Sequence, residues 1–180
     1  MRRLSGVLML LGCLIFLSPG CSSYQLTLNG KSIPAELKTI NISFFENNAT
    51  LVVPTLSRSF TESLKDRVRT TTSISIRESG PVDARMSGEI TGYTIAPISI
   101  QATNGNTPPI AGASVLAITV HVKFEYDLDK TSKGQKISFD QSFTKTMNYT
   151  GDIANQEQAL IQAIDKQLID DIFNKAFNNW

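Results

Sequence analysis

Four segments of the chain alternate between hydrophobic and polar residues with the period of a β-strand. The alternation is clearest at Val115–Asp127, and it recurs at Lys38–Phe45, Ala84–Ala96 and Lys136–Tyr149. Because successive side chains of a strand point to opposite sides, each segment predicts a strand with one buried and one solvated face. The first strand is expected to bury Ile40, Ile42 and Phe44.

Two of these predicted strands carry an irregularity. Gly88 and Gly92 fall on the apolar side of the second strand, two pleats apart, which predicts either a β-bulge or a helix packed close to the backbone. Gln141 and Lys145 fall on the apolar side of the last strand. Their position leaves open a register slip at a bulge or a place near the end of the sheet.

Two other segments repeat with the period of a helix. After Pro54, which suits the first turn of a helix, apolar residues recur every four positions from Leu56 to Val68. A second helix is predicted from about Asn155 to the end of the chain, with Asn155 and Gln158 approximating a capping box. Its apolar stripe comprises Ile161, Ile164, Leu168, Ile172, Phe173, Ala176, Phe177 and Trp180, and its opposite, solvated side comprises Asp165, Lys166, Asp170, Asp171 and Lys175.

The order of these elements predicts an α+β fold. A strand, a helix, three strands and a helix (β-α-β-β-β-α) give a two-layer sandwich in which a mixed four-stranded sheet carries both helices on one face. The last three strands are expected to form an antiparallel meander. The other face of the sheet is rich in Thr, Ser and charged residues, so it must be exposed to water or covered by a partner.

The first residues have the pattern of a secretory signal. Arg2 and Arg3 precede an apolar run from Val7 to Leu17, which is too short for the roughly 20 residues that cross a bilayer. The run closes with Gly20 before Cys21, as in a bacterial lipobox. We therefore expect residues 1–20 to be a lipoprotein signal peptide cleaved after Gly20, with Cys21 lipidated.

Three alternatives to this interpretation stay open. Leu10-Leu11-Gly12-Cys13 also resembles a lipobox, although cleavage there would leave a short apolar core and an apolar new end. Ordinary cleavage would leave Cys21 as a free thiol without an internal partner, and a Cys13–Cys21 disulfide would require that the signal be retained. We prefer Cys21 as the lipidated residue.

Composition narrows the class of protein further. Without residues 1–20 the chain keeps fifteen basic and sixteen acidic side chains, so its near-zero net charge does not favour a nucleic-acid partner. The remaining length suits one core. We divide it into a tether at residues 21–36, where Asn29-Gly30 and Pro34 signal turns, and a single domain at residues 37–180.

No residue pattern indicates an enzyme, a metal or a cofactor. His121 is the single histidine and has no cysteine or carboxylate at ligand spacing, so we interpret it as solvated or facing a partner. Asp127, Asp129 and Thr131 resemble the start of a calcium loop, but serines occupy the sixth and twelfth positions, which predicts a hairpin turn. The long segment from Pro97 to Ser114 is predicted to be a functional or mobile loop.

The ordered features resemble a known family. The lipobox, residues 33–68 (IPAELKTINISFFENNATLVVPTLSRSFTESLKDRV), residues 87–102 (SGEITGYTIAPISIQA), the strand AITVHVKFEY at residues 117–126 and the end QLIDDIFNKAFNNW at residues 167–180 are similar to the LptE-type lipopolysaccharide-assembly lipoproteins of Bacteroidetes. The resemblance covers nearly all of the chain after the signal.

The resemblance implies a function that is not enzymatic. It implies an outer-membrane lipoprotein of a Gram-negative bacterium, held on the periplasmic side, that plugs an LptD-like β-barrel and assists lipopolysaccharide transport into the outer leaflet. Within that role, exposed basic positions on or beside the sheet are candidate lipopolysaccharide contacts, namely Arg85, Lys123 and Lys145. The alternative is a CsgG-like or LpoB-like accessory lipoprotein of secretion or cell-wall synthesis, which shares a strand ending in Phe-x-Asn, a helix and a later Gly-x-Ile strand.

Overall fold

The computed structural model describes residue 33 and residues 36–98, 113–126 and 137–178. The predicted signal peptide, Cys21, most of the predicted tether and the segments 99–112 and 127–136 lie outside these residues. The lipidation site, the 97–114 loop and the hairpin turn at Asp127 therefore stay predictions.

The described residues confirm the α+β class, with two helices on a mixed sheet. In chain order the elements are β1 (Thr39–Ile42), β2 (Glu46–Asn47), α1 (Leu56–Thr71), β3 (Ser75–Ile76), β4 (Ala84–Pro97), β5 (Ala113–Tyr126), β6 (Ile137–Thr150) and α2 (Glu157–Phe177). The strands form one sheet in the order β3-β1-β4-β5-β6, and β2 pairs with β4 beside β1. β1 pairs in parallel with β3 and with β4, and β2 pairs in parallel with β4. β4, β5 and β6 form the expected antiparallel meander.

Among the residues that the structure describes the sheet has six strands, so the predicted count of four was wrong. Both additional strands have two residues, too few for alternation to reveal them. Glu46–Asn47 lies just beyond the predicted first strand, Lys38–Phe45, and pairs with β4 opposite Glu89 and Ile90. Ser75–Ile76 adds a short edge beside β1.

The core lies between the sheet and the two helices. The predicted stripe of α1 is buried from Leu56 to Val68, and the stripe of α2 is buried from Ile161 to Phe177. Tyr93 of β4 is buried and links the sheet to α2, because its hydroxyl donates to Glu157 Oε1 at 2.7 Å at the start of that helix. Burial and this carboxylate raise the pKa of Tyr93.

None of the helices in the described ranges is long and apolar enough to cross a membrane.

Several local predictions were wrong for identifiable reasons. β1 ends at Ile42, so the alternation does not continue and Phe45 is buried while Phe44 is 56% exposed. A bulge between Ile90 and Gly92 shifts the register of β4, which is one of the two predicted explanations for its glycines. The shift pairs Gly92 with Thr119 on the polar side and places Tyr93 in the core.

The helix starts also differ from the predictions. α1 begins at Leu56, so Pro54 precedes its first turn. The segment Ile153–Asn155 forms a 3₁₀ turn capped by Asp152, whose carboxylate accepts from the Ala154 amide at 3.0 Å. α2 follows at Glu157 without a side-chain cap, so the capping box at Asn155 is not formed.

Candidate functional site

The polar side of the meander is the first candidate surface. We call it the open face and define it by Arg85, Ser87, Glu89, Thr119, His121, Lys123, Glu125, Asp140, Ser142 and Thr144. All of these side chains are exposed or half-buried. The register of β4, β5 and β6 places them in cross-strand rows, such as Ser87, Lys123 and Asp140.

Most polar groups of the open face are paired with one another. His121 Nε2 lies 2.7 Å from Asp140 Oδ1, and His121 Nδ1 lies 3.3 Å from Ser142 Oγ. Lys123 Nζ lies 3.0 Å from Glu125 Oε1, and this hydrogen bond raises the pKa of Lys123. The open face therefore satisfies most of its own hydrogen bonds and charges.

The predicted basic contacts do not all share this surface. Arg85 and Lys123 lie on the open face. Arg85 is exposed and forms no ion pair with any residue that the structure describes. Lys145 pairs opposite Ile118, on the helix side of the sheet, where its ammonium lies 2.7 Å from Asp171 of α2. Because β6 pairs with β5 without a register shift, Gln141 and Lys145 reach the helix side at the edge of the sheet.

A shallow depression of 310 Å³ lies on the open face beside Phe44, Glu46 and Asn48. Its wall includes the exposed ring of Phe44 next to Glu89, His121 and Lys123. Beneath it, Gly88 leaves room for the His121 carbonyl oxygen and the buried Phe45 ring, since a Cβ on Gly88 would overlap that oxygen and lie 2.5 Å from the ring. The depression thus offers one aromatic surface among charged and polar groups.

His121, Asp140 and Ser142 bring together the residue types of a hydrolase triad. Sequence reasoning missed this cluster, because Asp140 and Ser142 are about twenty positions away and only the register of β5 against β6 joins them. The side chain of Asp140 is 58% exposed, so water screens its charge. We interpret the cluster as a surface row of cross-strand hydrogen bonds.

The second candidate region lies between the two helices. A cavity of 460 Å³ is lined from α1 by Ser59, Ser63, Asp66, Arg67 and Thr70, and from α2 by Gln158, Gln162, Asp165, Lys166, Ile169 and Asp170. We call it the helix groove. Almost every lining side chain is polar, although packed helices usually face each other with apolar residues.

The helix groove corrects the prediction of a solvated polar side on the second helix at one residue, Asp165, while Lys166, Asp171 and Lys175 are exposed as predicted. Asp165 is only 4% exposed, and burial raises the pKa of its carboxyl to about 7. Asp170 lies 3.0 Å from Arg67 Nη2 of α1, and Asp171 pairs with Lys145 of β6. Asp165 is therefore buried between the helices, whereas Asp170 and Asp171 form partly exposed ion pairs.

Neither region has the composition of a metal centre. No group of three or more His, Cys, Asp or Glu side chains in the described part of the chain could hold a metal ion. Two of the three carboxylates on the open face, Asp140 and Glu125, already pair with basic groups. What it can do chemically is bind a polar or charged partner.

A family model decides the relationship of the chain. The model described as LptE, lipopolysaccharide assembly, matches residues 37–176. The chain belongs to the LptE family. Members are non-enzymatic lipoproteins of lipopolysaccharide assembly, so this LptE protein is not an enzyme.

A solved structure with low sequence identity shares the fold of this LptE chain. The hypothetical protein CT253 from Chlamydia trachomatis is 6% identical, with a TM-score of 0.53 over 77% of this chain and 96% of that one. A minor lipoprotein from Acinetobacter baumannii (18% identity, TM-score 0.45, 77% and 91% covered) and the rare lipoprotein B from Shewanella oneidensis (9%, 0.44, 77% and 90%) are also similar. No curated protein matches the sequence significantly.

Proposed function

We propose that this LptE protein plugs the lumen of an LptD-like β-barrel and assists the insertion of lipopolysaccharide into the outer leaflet. The observation that carries the proposal is the open face. Its side chains are polar, exposed or half-buried, and they line three strands of fourteen residues each. A sheet with one polar face is stable only where that face meets water or a polar partner, and the interior of a large barrel provides both.

The attachment to the membrane forms part of the same proposal. Lipidated Cys21, exposed by cleavage after Gly20, would anchor residues 21–36 as a tether at the periplasmic side of the outer membrane. Several acyl chains hold a protein firmly, because each buried CH₂ contributes about 0.8 kcal/mol. Cys21→Ala is expected to release a folded domain into the soluble periplasm, which membrane fractionation would detect.

Arg85 is the strongest candidate for lipopolysaccharide contact among the three predicted positions. Lipopolysaccharide carries phosphate groups, and a guanidinium binds phosphate with two parallel hydrogen bonds. Lys123 lies on the same face but shares its charge with Glu125 at 3.0 Å. Lys145 lies on the helix side and pairs with Asp171, so it would have to exchange partners to bind a phosphate.

Purification from detergent-solubilised outer membranes tests the plug. The native protein is expected to co-purify with a β-barrel in a one-to-one complex. Recovery without any barrel would contradict the proposal. A ring of copies, or activation of a peptidoglycan synthase, would instead support the CsgG-like or LpoB-like alternative.

Charge reversal tests the lipopolysaccharide contact. We expect Arg85→Glu with Lys123→Glu to reduce photo-cross-linking to lipopolysaccharide by about tenfold or more, since each charged hydrogen bond contributes roughly 1.5–3 kcal/mol. The matched control is Arg58→Glu with Lys175→Glu, which makes the same change in net charge at exposed helix positions. Equal losses in both pairs would indicate an effect of overall charge and contradict the assignment.

A further inference from the structure

The two edges of the sheet differ in how they are protected. One edge is β3, which has two residues and offers little backbone for pairing. The other edge is β6, which has fourteen residues without proline or glycine, and its pairing with β5 shows no bulge. Its two charged side chains, Asp140 and Lys145, already pair with residues of their own chain. Proteins usually shorten, bend or charge a free edge, because its amides and carbonyls bind other strands. β6 has none of these protections, and among the described residues it pairs only with β5.

Main-chain hydrogen bonds show which residues of β6 turn outward. The Ile98 amide donates to the Ala113 carbonyl at 2.9 Å, and the Met86 carbonyl, turned away from β5, accepts from the Ser43 amide at 2.9 Å. Because the amide and carbonyl of a residue in an antiparallel strand point to the same side, both bonds place the odd-numbered residues of β5 toward β4. The even-numbered residues of β5 then face β6, where they pair with odd-numbered residues. The even-numbered residues of β6 therefore direct their amides and carbonyls out of the sheet.

The exposure of the side chains of β6 agrees with a free edge. All even-numbered side chains of β6 are exposed, on the side of the open face. The odd-numbered side chains from Phe139 to Met147 lie on the helix side and are only half-buried, whereas Val120 and Phe124 beside them on β5 are fully buried. Phe139, Phe143 and Met147 pack against the core with part of their surface still exposed. A further strand at this edge would complete their burial.

The helix side of β6 complements itself when two copies run antiparallel about Phe143. In this register Phe143 meets Phe143 of the second copy, and Phe139 meets Met147. Lys145 meets Gln141, so no like charges lie opposite each other. Aromatic pairs and contacts between a sulfur and a ring stabilise such an interface.

The side that continues the open face is complementary in the same register. Ser142 meets Thr144 of the second copy, and Asp140 meets Thr146. These even-numbered residues carry the outward amides and carbonyls, so the register pairs the main-chain groups along almost the whole of β6.

Neighbouring registers are less favourable. The outward direction of the even-numbered residues requires that a two-fold axis pass beside a residue of β6, so the nearest alternatives are centred on Ser142 and Thr144. The first sets Phe139 opposite Lys145, and the second sets Phe143 opposite Lys145. Both place an ammonium against an aromatic side chain that the register about Phe143 places against an apolar one.

We infer that two copies of this LptE protein pair through β6, antiparallel about Phe143, so that two six-stranded sheets become one continuous sheet with the helices of both copies on one face. The inference goes beyond the proposed function, which uses the open face. Because that function uses one copy for each barrel, the dimer is the form of the chain that has not yet met a barrel.

Disulfide cross-linking in the native cells tests the register. Ser142→Cys and Thr144→Cys are carried by two differently tagged copies of the full chain in one cell. We expect a mixed disulfide-linked dimer, since paired Cβ atoms of neighbouring strands lie about 4.5–5.5 Å apart. The matched control combines Ser142→Cys with Asn148→Cys, which lie four residues out of register, about 14 Å apart, and should give about tenfold less of the mixed dimer. Cys13 and Cys21 are the same in both strains.

Opposite charges at Thr146 test the contact with Asp140 of the second copy. Within its own chain Thr146 is exposed and pairs with Ala117 of β5, so the sign of a charge there matters little to the fold. Thr146→Asp should weaken the dimer about fivefold and Thr146→Lys should strengthen it about fivefold, because each dimer contains two such pairs. Analytical ultracentrifugation of the full chain, purified in detergent without a barrel, measures the dissociation constant.

A proline at the edge tests the main-chain pairing. Thr144→Pro removes an amide that points out of the sheet, so the strand tolerates it, but the dimer loses this hydrogen bond twice. We expect the dimer to weaken about tenfold or more. Thr144→Ala keeps the amide and should dimerise like the wild type, and circular dichroism checks that both variants are folded.

The following results would overturn the inference. They are equal yields from the two cysteine pairs, a change of the same sign for Thr146→Asp and Thr146→Lys, and disulfides from positions 142 and 144 to another protein in place of the second copy. The ultracentrifugation uses no barrel, so failure to recover a barrel from outer membranes would contradict the proposed function alone.

Discussion

The open face and the helix groove are both polar, but they differ in whether their polar groups have hydrogen-bond partners. On the open face, His121, Asp140 and Ser142 form a row of contacts between 2.7 and 3.3 Å, and water reaches all of them. In the groove, Asp165 is buried and one of its oxygens is unpaired in the described structure. The hydrogen bonds of the first surface are satisfied within reach of water, whereas the second leaves a buried oxygen unpaired among the described residues.

The contrast teaches where single polar residues matter for stability. A polar group on a wet surface exchanges one hydrogen bond for another, so its net contribution is small. A carboxyl buried without a partner loses its hydration, which is unfavourable above all for its charged form. We therefore expect large effects in the groove and small ones on the open face.

The largest change in the free energy of unfolding is expected for Asp165→Asn. The raised pKa of Asp165, about 7 against an ordinary value of 3.8, means that the folded protein holds a proton that the unfolded chain releases between these two values. The free energy of unfolding should therefore fall as pH rises from about 4 to 7. Asparagine removes this penalty, so at pH 8 the variant should be more stable by up to about 4 kcal/mol. Urea denaturation at pH 5 and pH 8 measures the change.

The control for this experiment is the surface acid Asp171. Asp171→Asn should change stability by less than about 1 kcal/mol, because its pair with Lys145 is exposed. The slope between pH 5 and pH 8 should persist in that variant. An Asp165→Asn protein with the wild-type slope would contradict the assignment of the buried carboxyl.

An intermediate loss of stability is expected for a substitution at Gly88, where strand β4 lies close to the buried Phe45 ring. Gly88→Ala would place a Cβ against the backbone carbonyl oxygen of His121 and 2.5 Å from the Phe45 ring, so strand β4 must shift as well as the ring. Overpacking of this kind costs about 1–3 kcal/mol. Ser87→Ala, the neighbour on the open face, is the matched control and should stay within about 0.5 kcal/mol of the wild type. Thermal denaturation of both variants tests the difference, and equal losses would refute it.

A smaller effect is expected for the row on the open face. A double-mutant cycle of His121→Ala and Asp140→Ala should give a coupling free energy of about 0.2–1 kcal/mol, as for other exposed pairs. Chemical denaturation of the four proteins measures it. A coupling of several kcal/mol would show that the row is less solvated than its exposure indicates.

The smallest effect on stability is expected for Arg85→Ala. Arg85 is exposed and unpaired among the described residues, so the free energy of unfolding should change by less than about 0.5 kcal/mol. Lipopolysaccharide cross-linking should nevertheless weaken under the proposed function. A stable variant with wild-type cross-linking would remove Arg85 from the candidate contacts.

Much of the architecture could be predicted from the sequence. The alternation along β4, β5 and β6 and the four-residue repeat of α1 identify the three longest strands and the first helix, because burial of one face imposes these periods. The two-residue strands were missed because two residues are too few to show the alternation of a β-strand. The exchange of Phe44 for Phe45 was missed because nothing in the alternation marks the end of β1 at Ile42.

Less of the candidate sites could be predicted from the sequence. Arg85 and Lys123 were correctly placed on the polar side of their strands by alternation alone. The row at His121 depends on the pairing register, and the burial of Asp165 depends on the approach of α1 to α2. No local pattern carries this information.

By itself, the sequence determined the fold class, the polar character of one sheet face and the resemblance to the LptE family, since these depend on periodicity and on residues close together in the chain. The tertiary structure alone decided which polar groups are paired and which are buried without a partner. Those properties depend on contacts between residues distant in sequence, such as Arg67 with Asp170 and Lys145 with Asp171. The period of a helix shows which residues share a side, but only the packed neighbour determines whether that side meets water.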